Sequence, residues 1–292
     1  MLNCSIGIMA YNEGCNIGNL LLAIQNQKLR EISLQEITVV ASGCTDDTRA
    51  IVKKFAESDS RIHLLTQKNR EGKASAINFW LKSATGDLLI LASADTIPAP
   101  EALEKLILPF REAKIGMAGA HPVPINDSRT LMGFAAHLMW DLHHKIALQT
   151  PKLGETVAFR RTFTEIPAKS SVDEAAIEHI ITDQGYQIHY VPEAIISNKG
   201  PETISDFLKQ RRRIYAGHLG LQKNGYNVAT MSGLKTFFLI LQTTSYSPRA
   251  IFFTPVVILL EIYGRLLGWY DFSIKKREAT IWEMAKSTKN FK

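Results

Sequence analysis

The chain has 292 residues, 46% hydrophobic and 21% charged, with 34 Lys+Arg against 28 Asp+Glu for a net charge of +6. These proportions are those of a folded globular protein and exclude wholesale disorder. The length suits one large domain, or one domain with a smaller module, and either can bury a sizeable core. The charge is uneven. Residues 1–200 carry 20 basic and 22 acidic side chains, and residues 201–292 carry 14 and 6, so the basic excess lies in the last third. Cys4, Cys15 and Cys44 have neither CxxC nor zinc-ribbon spacing, which points to a reduced, cytosolic compartment.

The apolar run Cys4 to Met9 predicts a buried strand, and with no basic stretch before it no signal peptide is expected. Tyr11-Asn12-Glu13-Gly14 breaks the run, and Ile17, Leu20, Leu21 and Ile24 follow at helical spacing. Glu36 to Val40 is a β-branched strand ending in Ala41-Ser42-Gly43. Thr45 to Thr48 offers side-chain oxygens for a helix start, and Ile51, Val52 and Phe55 continue an apolar helix face. Ile62 to Leu65 reads as a third strand, 72–84 as a helix, and Leu88 to Leu91 as a fourth strand closing on Ser93-Ala94-Asp95. A helix near 173–184, a strand at Ile188 to Val191 and a basic helix over 203–223 follow, and Leu234 to Tyr270 is apolar and aromatic.

Strands alternating with helices imply an α/β fold with a mostly parallel sheet, in which ligands bind beyond the carboxyl ends of the strands. The polar residues just after each strand are therefore the first site candidates: Tyr11 to Glu13, Ser42 to Asp47, and Asp95. Several motifs fail. Gly72-Lys73-Ala74 lacks the first P-loop glycine, because position 67 is Gln67, and Ala74 stands where Ser or Thr is required. No GxGxxG follows the first strand, and there is no GxSxG elbow. His137, Asp141 and His144 share one helical face, as a metal site or as a polar stripe that orders a loop or an acceptor pocket.

Five features stand in a fixed order over roughly residues 3–220. Ile8 to Glu13 resembles the strand-end "AYNE" of family-2 glycosyltransferases, inverting enzymes with the nucleotide-sugar-binding GT-A fold. Gly72-Lys73-Ala74-Ser75-Ala76-Ile77-Asn78 is similar to that family's "GKAxAxN" helix start. Ser93-Ala94-Asp95 resembles its metal motif DxD. The acidic pair Asp173-Glu174 precedes Gly185-Tyr186 by eleven to twelve residues, where the family places its catalytic acid. Gln210-Arg211-Arg212-Arg213-Ile214 resembles the QxxRW of polysaccharide synthases. The sequence departs from the pattern in four places. Ser93 replaces the first Asp of DxD, Ala41-Ser42 stands where many relatives have Asp-Asp, Ile214 replaces the Trp of QxxRW, and Asp-Glu replaces the commoner Glu-Asp.

The resemblance implies a nucleotide-sugar site built from Ala10, Tyr11, Asn12, Glu13, Ser42, Lys73, Ser93, Ala94 and Asp95. Tyr11 would stack on the base, while Asn12 and Glu13 hydrogen-bond the base or the ribose. Asp95 would hold Mg²⁺ or Mn²⁺, with the diphosphate and water as the other ligands; its structural alternative is to cap a helix starting near Pro98-Ala99-Pro100. Lys73, at a helix start, would approach a phosphate or ribose, or be a solvated lysine. Asp173 or Glu174 would be the general base, the spacing slightly favouring Glu174; the alternative is a pair of first-turn acids favoured by the helix dipole. Gln210 and Arg213 lie three apart on one helical face and would clamp the diphosphate or the acceptor, leaving Arg211 and Arg212 solvated or facing a membrane. Tyr215 and His218 would line an acceptor path.

In the tail, Ala250 to Leu260 is an 11-residue apolar run, short of the about 20 residues of a spanning helix. Counting on to Tyr270 reaches that length but includes Glu261 and Arg265, four apart and able to pair. With Phe237 to Leu241, the aromatic Trp269, Tyr270 and Trp282, and basic Lys275-Lys276-Arg277, residues 234–282 read as a monotopic anchor on an anionic leaflet. A core helix or a homodimer interface is the alternative.

The expected organisation is a GT-A domain over 1–225 and a basic, apolar, membrane-associating helical segment over 226–292. The expected activity is metal-dependent transfer of one sugar from a nucleotide-diphosphate sugar to a lipid-linked or glycan acceptor, at the cytoplasmic membrane face. A polyprenyl-phosphate glycosyl synthase and a non-catalytic sugar-nucleotide-binding or scaffold protein are the alternatives. Nucleic acid is not an expected partner, because no binding motif accompanies the basic stretch.

Overall fold

The computed structural model describes residues 1–167, 172–223, 248–276 and 286–289. Among these residues, the apolar runs read from the sequence become the parallel strands β1 (Leu2–Ala10), β2 (Ile32–Ser42), β3 (Ile62–Gln67) and β4 (Leu88–Ser93). Helices α1 (Ile17–Gln25), α2 (Thr48–Ser58) and α3 (Lys73–Leu81) follow the first three strands. Short β5 (Thr96–Pro98), α4 (Ala102–Ile107), β6 (Ile115–Pro124), α5 (Leu131–Gln149), β7 (Val157–Arg160), α6 (Asp173–Asp183) and β8 (Gln187–Asn198) complete the α/β part. The sheet has eight strands in the order β3-β2-β1-β4-β7-β6-β8-β5. β7 and β5 run against their neighbours and the other six strands are parallel.

Each face of the sheet carries its own core. Ile6, Ile8, Ile37 and Ile90 pack with Ile17, Leu20 and Leu21 of α1 and Leu103 and Leu106 of α4. On the other face Leu89, Leu91 and Phe159 pack with Ile77 and Trp80 of α3 and Ile177 and Ile181 of α6. Helix α3 lies close over β1 because position 7 is glycine: a Cβ there would run into the Trp80 indole, which is fully buried. That close approach fixes where the first residue of α3, Lys73, emerges above the sheet. Gly72 precedes it at φ +95°, a left-handed conformation that glycine adopts without a Cβ clash.

The helix expected to start near Pro98 starts later. Pro98 ends β5, which pairs with the last residues of β8, and α4 begins only at Ala102. Asp95 therefore sits in the turn between β4 and β5 rather than capping a helix.

Helices α7 (Ile204–Lys223) and α8 (Pro248–Ser273) pack side by side in the same direction, with Gly264 against Arg211 and Gly268 against Arg212, Tyr215 and Ala216. Their joint core with α5 includes Met132, Leu138, Phe207 and Val257. Arg211 and Arg212 are neither solvated nor membrane-facing, as the sequence suggested. Arg211 pairs with Glu261 at 2.6 Å, and Arg212 Nη2 donates to Asp271 Oδ1 at 2.5 Å, with Asp271 fully buried. The reason is the packing of α8, which delivers an acid to each arginine. Arg265 also pairs with Glu261 at 2.8 Å, as their spacing predicted.

Helix α8 is continuous over 26 residues, well beyond the 11-residue run, with mean hydropathy 1.8 in its apolar window and 22% of that window buried. By length and composition it can cross a membrane. Phe252, Leu259, Ile262, Leu266 and Trp269 are exposed on it. Phe237 to Leu241, Arg277 and Trp282 lie outside the described residues.

Candidate functional site

The carboxyl ends of β1, β2 and β4 form one rim. On β1, Ala10 is buried and Asn12 takes φ +53° just beyond it. The Asn12 carboxamide oxygen accepts from the Thr45 amide at 2.8 Å, which ties the loop after β1 to the loop after β2. The Glu13 amide donates to Thr48 Oγ1 at 2.8 Å, and Asn16 donates to its carboxylate at 3.2 Å. On β2, Ser42 is buried beside the backbone of Asn69 and Glu71 and holds the loop that leads to α3. Tyr11 carries the Arg70 guanidinium over its ring at 4.0 Å, so the face assigned to a base is covered by a cation here. Ser93 and Ala94 lead into Asp95, with the Ser93 carbonyl accepting from Thr96 Oγ1 at 2.7 Å.

Two carboxylates meet above this rim. Glu13 and Asp95 share the Lys289 ammonium, which pairs with Glu13 and lies 3.3 Å from Asp95 Oδ2. Burial, with the Asp95 charge adding to it and the Lys289 ammonium opposing, pushes the Glu13 carboxyl up to about 7. Lys289 reaches this position because Ser287 is anchored on Asp206, its hydroxyl donating at 2.8 Å and its amide at 3.0 Å.

A second charged cluster joins the starts of α3 and α6. Lys73 Nζ lies 2.5 Å from Glu174 and 3.9 Å from Asp173, the first residues of α6. Asp173 is 3% exposed and its Oδ1 has no hydrogen-bond partner among the described residues. Burial pushes its carboxyl up to about 7 against the pull of Lys73, with Glu174 adding to the rise. Burial acts on Glu174 in the same sense, but the Lys73 ammonium outweighs it and holds Glu174 below its ordinary value. Arg213, exposed on α7, lies within electrostatic range of Lys73, Asp173 and Glu174. Gln210, three residues before it on α7, is half-buried.

The GKAxAxN segment supplies more than Lys73. Both ends of the Asn78 carboxamide bond the backbone of Ile166, at 2.9 Å and 2.8 Å, and fix the chain just before the acidic pair.

Sequence reasoning missed Glu155 and Lys289. Glu155 precedes β7, accepts from Asn198 Nδ2 at 3.0 Å, and lies within electrostatic range of Asp95, Glu174 and Lys73. Only strand pairing brings it to the rim, and no motif marks it. His137, Asp141 and His144 do not converge. His137 Nε2 sits 2.9 Å from the Asn126 carbonyl, and His144 Nδ1 sits 2.8 Å from the Tyr190 hydroxyl while its ring stacks on His121. They are the polar stripe. Tyr215 lies under Arg265 at 5.7 Å, within the α7–α8 contact.

Among the described residues no three His, Cys, Asp or Glu side chains converge to hold a metal alone. The Glu13–Asp95 locus nonetheless draws a cation, since the Lys289 ammonium sits in it. Its carboxylate oxygens suit Mg²⁺ or Mn²⁺ if a diphosphate and water supply the remaining ligands.

An open, mostly parallel sheet with an acidic strand-end rim, and an acid pair at the start of α6, belongs with the GT-A nucleotide-sugar transferase fold. The profile of glycosyl transferase family 2 matches residues 5–171, and the chain belongs to that family. It is 26% identical over 275 residues to the poly-β-1,6-N-acetyl-D-glucosamine synthase of Staphylococcus aureus (strain MSSA476), covering 89% of this chain and 62% of that one. The chain thus spans about three-fifths of the length of that relative. Among solved structures it is similar in fold to the mannosyltransferase PcManGT from Pyrobaculum calidifontis, in complex with GDP-Man and Mn²⁺, at TM-score 0.67 and 18% identity, covering 94% of this chain and 88% of that one. Glucosyl-3-phosphoglycerate synthase from Mycobacterium tuberculosis, in complex with Mn²⁺ and UDP, superposes at TM-score 0.52 and 17% identity, covering 78% of this chain and 81% of that one.

The Asp173 carboxyl titrates higher folded than its ordinary value, so the folded state binds its proton more tightly than the unfolded chain does. Stability carried by that proton is full below the ordinary carboxylate range and is lost as pH rises towards about 7. Asp173→Asn removes this loss. Its melting temperature relative to the parent protein is expected to rise between pH 4.5 and 7.5, measured by calorimetry, and a pH-independent difference would contradict the shift.

Proposed function

We propose that this glycosyltransferase moves a sugar, with inversion, from a nucleotide-diphosphate sugar to a lipid-linked or glycan acceptor at the cytoplasmic membrane face. Residues 1–225 form the catalytic unit and residues 226–292 the membrane-associating part. The observation that carries the reading is a pair of charged clusters: Glu13 and Asp95, which draw a cation, and the buried Asp173, whose Oδ1 has no hydrogen-bond partner among the described residues.

A divalent cation at Asp95 would neutralise the charge that builds on the departing diphosphate. The chain's own groups divide the remaining work. Ala10 to Glu13, Ser42 and Ser93 to Asp95 line the donor's nucleotide end. Asp173 takes the proton of the acceptor hydroxyl as its oxygen bonds to the anomeric carbon and the bond from that carbon to the diphosphate oxygen breaks. A base with its pKa near the working pH is the most effective, and Asp173 meets that condition while Glu174 is engaged by Lys73. The earlier slight preference for Glu174 is thereby reversed in this proposal. Lys73 holds Glu174 ionised, Lys73 and Arg213 temper the rise of Asp173 and offer positive charge to the donor, and Gln210 shares α7 with Arg213. The similarity to a polysaccharide synthase supports a glycan acceptor. The exposed apolar face of α8 supports work at a membrane.

Asp173→Asn is expected to lower kcat about 10²–10⁴-fold, with Glu174→Gln losing less, in a transfer assay using UDP- and GDP-sugars. The acid limb of the parent's pH profile should fall near pH 7. Full activity in Asp173→Asn with loss in Glu174→Gln would exchange their roles, and retention by the double variant would favour a phosphate acceptor that needs no base.

The anchor makes a separate prediction. The protein should pellet with membranes at low salt, and replacing Leu259, Ile262 and Leu266 by Ser should release it. Parent protein in the detergent-free soluble fraction would contradict the anchor.

A further inference from the structure

The Ser93-Ala94-Asp95 segment is one carboxylate short of the paired acids its motif usually carries. The antiparallel register of β4 and β7 pairs Leu88 with Arg160, Leu89 with Phe159, Ile90 with Ala158 and Leu91 with Val157. Each step forward on one strand is a step back on the other, so the bend at Glu155 and Thr156, just before the last pair Leu91–Val157, leads the chain towards the Ser93 end of β4. The chain still follows the sheet there, because the Ala120 amide donates to the Thr156 carbonyl at 3.0 Å. A carboxylate, Glu155, thus lies just before the strand that neighbours β4.

A second observation converges on the same point from the other side. Asn198 pairs across β5–β8 with Thr96, the residue after Asp95. It is 3% exposed, its Nδ2 donates to Glu155 Oε2 at 3.0 Å, and its Oδ1 has no hydrogen-bond partner among the described residues. An amide oxygen is the kind of hard donor that divalent cations accept. Burial pushes the Glu155 carboxyl up to about 7, and Asp95 is the charge that adds most to the rise. Two half-buried carboxylates that repel each other are relieved by a cation between them.

We propose that Glu155 joins Asp95 as a carboxylate ligand of the divalent-cation site, in place of the acid that Ser93 lacks and oriented by Asn198. The inference rests on the reading of Asp95 as a cation ligand and adds a residue that no motif supplies. On this reading the acid pair is shared between two neighbouring segments of the sheet, a transposition of the usual i, i+2 spacing.

The test is Mn²⁺ binding to the full-length protein in the presence of UDP or GDP, read by the electron paramagnetic resonance of free Mn²⁺, with circular dichroism to confirm folding. Glu155→Gln keeps the side-chain volume and is expected to weaken Mn²⁺ binding about 10–100-fold, the range seen when groups supporting a metal site are removed. Adding Ser93→Asp to Glu155→Gln is expected to return most of that affinity, which a merely structural glutamate would not allow. Unchanged Mn²⁺ affinity in Glu155→Gln, with an altered donor KM, would overturn the proposal and make Glu155 a ligand of sugar hydroxyls. Weakened binding that Ser93→Asp leaves weak would overturn the transposition. If the parent protein binds no Mn²⁺ with either nucleotide, the reading of Asp95 itself fails, and this outcome is distinct from a failure confined to Glu155.

Discussion

The Lys73 ammonium, 2.5 Å from Glu174 and 3.9 Å from Asp173, is the contact on which the site depends. It joins the start of α3 to the start of α6, which carries the acid pair. Two adjacent carboxylates brought into a half-buried space repel each other and lose hydration, and a single cation between them makes the arrangement tolerable. Because that cation is nearer one acid, the two separate in character. Glu174 is engaged and held below its ordinary value, while Asp173 has a raised pKa and an oxygen with no partner among the described residues. The backbone beneath makes the geometry possible: Gly7 lets Trp80 lie against β1, Gly72 turns the chain into α3, and Asn78 holds the segment before α6.

Much of this was legible in the sequence, for a physical reason. In a parallel α/β sheet the strand ends are marked locally, by an apolar run giving way to polar residues, so Glu13, Ser42 and Asp95 could be placed at one rim from the pattern alone. The four leading strands and the helices between them follow the same local signal. What could not be read depends on pairing between distant parts of the chain. Glu155 reaches the rim only through the β4–β7 register, and Lys289 meets Glu13 and Asp95 from the far end of the chain. Arg211 and Arg212 looked like solvated charges because their acids, Glu261 and Asp271, belong to another helix. The choice between Asp173 and Glu174 turns on a difference of little more than an ångström in distance to Lys73, which spacing does not encode.

The uneven charge of the chain also resolves into structure. The basic excess of residues 201–292 is spent partly inside the protein, where Arg211, Arg212 and Arg265 meet acids of α8, and partly at the site, where Arg213 acts on the acid pair and Lys289 on the strand-end carboxylates. Helices α7 and α8 therefore connect the catalytic rim to the exposed apolar surface of α8 through buried ion pairs. Such pairs contribute little net stability, but breaking one leaves an uncompensated charge, so they hold the two helices in a single register.

The central claim is that Asp95 and its neighbours bind a nucleoside diphosphate through a divalent cation. Calorimetric titration of UDP and of GDP into the purified protein, with and without Mn²⁺, tests it most directly when repeated on Asp95→Asn. The account predicts that one nucleotide binds in the presence of Mn²⁺, that binding weakens strongly without the cation, and that Asp95→Asn abolishes the cation's effect. Equal binding with and without Mn²⁺, or an unchanged cation effect in Asp95→Asn, would contradict it.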